Sequence, residues 1–123
     1  MEGKKLLRPE IKTLNDNSSE NEIFQNTVLR PIIKLQHQLL IALTKQKINS
    51  LQINFQELSD EKQHLTIENL ILKDLTFKAT LVGSIIGLFE IDEIDFYLAK
   101  QKEINKRILF IIQKRLSENR DQF

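Results

Sequence analysis

Three glycines and two prolines are the only strong chain-turning residues in 123 positions, against about 7% and 5% in an average protein. Tight turns and hairpins draw on both types, so a chain this poor in them folds most readily as helices. The remaining composition agrees: Leu, Ile, Lys, Gln and Glu dominate, and most of these are good or acceptable helix formers. At 41% hydrophobic residues the chain can bury a core, and its length suits one domain.

Residues 1–18 mix charges with Pro9 and run into a polar cluster, Asn15-Asp16-Asn17-Ser18-Ser19. The expectation there is a flexible N-terminal arm. Order is expected from Ser19, because Ser19-Glu20-Asn21-Glu22 has the Ser-x-x-Glu form of a capping box. Pro31 fits the first turn of a helix better than its interior, which predicts one helix over 20–29 and another over 31–48. The second is amphipathic, with Ile32, Ile33, Leu35, Leu39, Leu40 and Leu43 on one broad face. Over 48–58 the pattern is double: Leu51, Ile53 and Phe55 alternate as in a strand, while Ile48, Leu51, Phe55 and Leu58 recur at helical spacing. With no second strand to pair with, a helical turn or irregular connection packed on the core is the better reading.

Ser59-Asp60-Glu61 caps and charges the start of a helix over 60–73. Continued unbroken to 89 it would reach about 45 Å, too long for one small domain, so a break near Asp74 should separate it from a helix over 75–89. That helix contains FKATLVGSIIGLF (77–89), whose only charge is Lys78. A helix apolar nearly all round is normally buried, so this one is expected at the centre, with Ala79, Gly83 and Gly87 forming a smooth stripe for a close neighbour. A neighbour within the chain is the simpler reading and a second copy the sharper one. Four acids within Glu90–Asp95 mark the start of a last helix over 92–117, and 118–123 should fray. The predicted fold is an all-α, compact bundle of four to five helices in a single domain, 19–117.

The formal net charge of +1 gives no global pull toward nucleic acid or anionic lipid. Without cysteine there is no disulfide, thiolate nucleophile or cysteine-held metal, which suits a reducing, cytoplasmic setting. The N-terminus has no apolar run of signal-peptide length. The longest low-charge run, Ala79–Phe89, has eleven residues, against about 20 for a membrane span. No phosphate-binding glycine loop or nucleophile elbow occurs. His64 shares a face with Asp60 and Glu68, but a zinc site needs three or four ligands, and charge pairing on a wet helix explains the trio. The acidic run Glu90–Asp95 lacks the alternation and turn glycine of a calcium loop. No catalytic, cofactor-binding or metal residue is therefore assigned.

Two groups remain. In the last helix Lys100, Arg107 and Lys114 recur every seven residues with Phe110 on the same side, a basic and aromatic stripe suited to packing, self-association or nucleic acid. The near-neutral total charge disfavours nucleic acid. Gln25, Asn26, Arg30 and His37 are the polar groups from which a pocket beside the first helix would be built.

Phe24–Gln36 (FQNTVLRPIIKLQ), Gly83–Phe89 (GSIIGLF) and Ile104–Ile108 (INKRI) together resemble a family of small bacterial all-helical proteins with no established activity. Some members carry a glyoxalase label. The resemblance spans about Ile23 to Leu116 and implies an all-helical fold. Metal-dependent glyoxalases use paired βαβββ modules with His and Glu ligands, and this chain has two histidines and no such strand pattern. The residues lead to a non-enzymatic helical protein acting by self-association, as a homodimer, or by partner binding. The alternatives are a helical ligand-binding protein or enzyme and a weak nucleic-acid binder.

Overall fold

Residues 19–123 are described by the computed structural model; the arm expected over 1–18 lies outside the described residues. Ser19 opens the first helix, α1 (Glu20–Phe24), its Oγ accepting from the Glu22 N–H at 3.2 Å. The chain does not break before Pro31. It passes through a π-helical turn, Gln25–Leu29, straight into α2 (Arg30–Leu35), with helical backbone angles at Phe24, Leu29 and Arg30. Proline lacks an N–H and its ring presses on the carbonyl one turn back. The widened turn, in which the Arg30 N–H reaches the Gln25 carbonyl five residues earlier, leaves the ring room.

The rod bends instead at Gln36 (φ −88°, ψ 10°), before α3 (His37–Ser50). Gln36 Nε2 donates to the Ser84 carbonyl at 2.9 Å. That carbonyl lies in the last turn of its helix, where Leu88 N–H bonds to Ile85 instead, so the bend serves as a distant C-cap.

The stretch 48–58 is an irregular connection. Gln52 adopts φ 56°, the one left-handed residue among those described, Ile53 and Asn54 have no helical structure, and a single 3₁₀ turn (Phe55–Glu57) buries Phe55. Ser59 caps α4 (Asp60–Lys73), its Oγ accepting from Lys62 N–H. The break falls at Asp74 as the length argument requires. Its Oδ1 accepts from Phe77 N–H at 3.0 Å and starts α5 (Leu75–Ile86), while Oδ2 pairs with Lys47 on α3.

The expected last helix is two. α6 (Ile91–Ala99) begins with a capping box between Glu90 and Glu93, and α7 (Gln101–Glu118) follows a sharp corner at Lys100 (φ −133°, ψ 32°). A straight helix over both would be about 42 Å long and would carry Phe96 and Tyr97 away from their partners. The corner lets Phe96 stack on Phe24 (4.6 Å between centroids) and Tyr97 meet Phe89 edge-on (5.6 Å). Tyr97 OH closes it by donating to Asn105 Oδ1 at 2.6 Å.

The centre of the molecule is α7, which buries Ile104, Ile108, Ile111, Ile112 and Leu116 and packs against α2, α3, α4, α5 and α6. The apolar segment 77–89 is not enclosed. It buries Phe77, Leu81, Ile85 and Phe89, and turns Ala79, Thr80 and Gly83 outward. Nor does the C-terminus fray. Arg120 donates to Gln63 Oε1 (3.1 Å), His64 Nε2 (2.9 Å) and the Ser117 carbonyl (2.8 Å), and the Phe123 ring rests on Phe55.

Gln52→Gly should stabilise the fold by about 0.5–1 kcal/mol, since a side chain in left-handed backbone is costly and glycine is not. Calorimetry should show the melting temperature rising by about 4 °C; no rise would mean the backbone there is unstrained. Lys47, then the Phe77 N–H, hold the Asp74 carboxyl below its ordinary value of 3.8. A lowered folded value means stability present above the ordinary value and lost as the pH falls through the lowered one. The gap in urea midpoint between native protein and Asp74→Asn should thus be open at neutral pH and close in acid. A gap constant down the acid limb contradicts the pair.

Candidate functional site

Gln25 and Asn26 fall in the π turn, Arg30 opens α2 and His37 opens α3. All four face α7 or hold a residue that does. Arg107 donates to Gln25 Oε1 at 2.9 Å, and Arg115 meets His37 Nδ1 at 3.1 Å. A guanidinium only donates, so Nδ1 accepts in this contact. Arg30 Nε donates to Asn26 Oδ1 at 3.2 Å. A cleft of about 310 Å³ opens beside these contacts, lined by Arg30, Phe110, Ile111, Lys114, Arg115, Glu118 and Asn119. Arg30 of the pocket group and Phe110 and Lys114 of the α7 stripe thus share one cleft, with Asn26 and His37 holding its arginines and the Gln25–Arg107 pair outside its lining. Lys100 lies apart, its Nζ 5.2 Å above the Phe96 ring and 3.4 Å from Glu20.

The electrostatics follow from what holds each cation. Arg30 and Arg115 are positioned by an amide and an imidazole, which fix geometry without cancelling charge. Arg107 has a carboxylate nearby, Glu103 at 3.8 Å, in a partly exposed pair of small energetic weight. Phe110 is 68% exposed at the centre of this group. Arg115 is one of the basic residues of the last helix but falls outside the every-seven stripe; its reach to His37 and its place in the cleft lining bring it to the site.

A second surface surrounds the start of α5. Leu51, Ile53, Leu70 and Leu75 line a wide groove of about 810 Å³ with Thr66, Asn69, Lys73, Asp74 and Thr76. Leu75 is 74% exposed and neighbouring Leu72 is 54% exposed. The exposed positions of α5 continue it: Leu75, Thr76, Ala79, Thr80 and Gly83, none of them charged. Among the described residues the small-residue stripe has no close intramolecular neighbour at Gly83, where an added Cβ meets none of their atoms within 4 Å. A Cβ on Gly87 would come within 3.2 Å of the Gly83 carbonyl, so Gly87 is explained by its own helix.

His64 is occupied by Arg120, which also lies 3.5 Å from Asp60. Among the described residues no three or more His, Asp or Glu side chains are grouped to hold a metal, and no helix is long and apolar enough to cross a membrane. Comparison with protein-family models, curated proteins and solved structures finds no match. The functional reading rests on these two surfaces.

If the α7 face exists for binding, its exposed residues should contribute little to stability. Lys114→Gln and Phe110→Ser should each leave the urea unfolding free energy within about 0.5 kcal/mol of native. Arg107→Met, which strands the Gln25 amide, should cost about 1 kcal/mol. A loss well above 1 kcal/mol for Phe110→Ser would assign that ring to packing.

Proposed function

We propose that the protein is a non-enzymatic helical module that acts by self-association, with the outward face of α5 as the contact between two copies. The observation that carries this reading is the exposed, uncharged row Leu75, Thr76, Ala79, Thr80 and Gly83 on the most apolar helix of the chain. An ordinary surface helix presents charge to water, and contiguous exposed apolar surface marks an interaction site. The small side chains at Ala79 and Gly83 allow a second helix to approach closely.

Size decides how much of the surface is needed. The twelve residues of α5 make about 18 Å of helix on the order of 10 Å wide, too little for the roughly 800 Å² per partner of a standard interface. The adjoining groove, with Leu51 and Ile53, supplies the rest. Charge also favours this face over the α7 cleft. A two-fold contact sets each patch against its own copy, so the basic cleft would oppose three cations, Arg30, Lys114 and Arg115, whereas the groove carries one, Lys73, beside an Asp74 already paired with Lys47.

Size-exclusion chromatography with light scattering should give twice the 14.5 kDa chain mass at micromolar concentration. Ala79→Glu should weaken dimerisation by at least about tenfold while leaving unfolding of the monomer within about 0.5 kcal/mol. A native chain that stays monomeric at every concentration removes the proposal.

A further inference from the structure

We infer that the cleft between α2 and α7 binds a phosphate monoester carrying a flat, uncharged group, with the phosphate on Arg30, Lys114 and Arg115 and the flat group on the Phe110 ring. The inference shares no residue with the α5 contact and stands without it.

Three observations carry it. First, the cations are in place before any ligand arrives. Arg30 and Arg115 are anchored by Asn26 Oδ1 and His37 Nδ1, neither of them a carboxylate, so the anchors cancel none of the guanidinium charge and leave several donors unused. Two planar forks and an ammonium directed at one cleft suit an oxyanion with several acceptor oxygens. Second, Phe110 lines the same cleft and is largely exposed. An aromatic ring left in water beside cations gains by stacking on a flat apolar group. Third, the cleft's volume of about 310 Å³ lies at the small end of the roughly 300–1,000 Å³ range for small-molecule sites. That is room for one nucleotide-sized molecule. A nucleic-acid strand needs a longer track of cations and rings, and only one ring is present here. The single lining carboxylate, Glu118, offers an acceptor for a hydroxyl. His37 and Asn26 act as positioning residues.

The test is a titration of the full chain with adenosine monophosphate, adenosine and inorganic phosphate, followed by calorimetry and by amide shifts in α7. The monophosphate should saturate at millimolar concentration or below, shifting Phe110 and Arg115 amides, and weaken as salt is raised. Adenosine and inorganic phosphate should each bind at least about tenfold more weakly. Lys114→Gln should weaken both phosphate-bearing probes, whereas Phe110→Ala should weaken the monophosphate about tenfold and leave inorganic phosphate unchanged. Both residues are exposed, so both variants should fold, as their circular dichroism will show. Absence of saturable monophosphate binding overturns the inference. So does inorganic phosphate binding as tightly as the nucleotide, or tight binding of a mixed-sequence RNA oligomer with none of the monophosphate.

Discussion

The fold depends on burying one stripe of α7. Ile104, Ile108, Ile111, Ile112 and Leu116 are all hidden, and the other helices are arranged to hide them. At about 25 cal/mol per Å² of apolar surface, each fully buried aliphatic side chain is worth about 1.5–3 kcal/mol before chain entropy is counted. No other helix buries as many. The rod α1–α2–α3 covers one side and α4–α5 another, while α6 folds back at Lys100 to put Phe96 and Tyr97 against Phe24 and Phe89.

Pro31 links this packing to the α7 cleft. A regular helix would have had to end before the proline. The π turn keeps the rod continuous, and its Gln25 and Asn26 side chains reach Arg107 and Arg30. The bend then falls at Gln36, where one side-chain amide secures the end of α5. The π turn thus supplies two polar contacts to cations, and the one from Asn26 holds Arg30, which lines the cleft. π turns often occur at functional sites.

Much of the fold was legible because its signals are local. Ser19, Ser59 and Asp74 each accept the backbone N–H that an N-cap should, and α4 occupies 60–73 as read from spacing and caps. Three features were not legible. The π turn leaves no compositional mark, since a proline preceded by helix formers reads equally well as a new helix start. The corner at Lys100 has neither glycine nor proline and exists only because distant aromatics pull α6 back. The tail is held by Arg120 through Gln63 and His64, residues more than fifty positions away. Of the α7 site, the spacing of Arg107, Phe110 and Lys114 identified the stripe, but its union with Gln25, Asn26, Arg30 and His37 required the packing of two helices.

The segment 77–89 departs furthest from its sequence reading. Its hydrophobicity implied enclosure, yet one face is exposed, and Gly83 meets none of the described residues where a neighbour was expected. A chain that keeps so apolar a face exposed is under pressure to cover it, and in the proposed dimer a second copy would do so along the uncharged row of α5. Methyl relaxation with a soluble gadolinium chelate, at low and high protein concentration, tests this most directly. The Ala79 and Thr80 methyl groups should broaden strongly in dilute protein and be shielded in concentrated protein, while the exposed stem of Lys114 broadens equally in both. Equal broadening of Ala79 and Thr80 at all concentrations would contradict the account.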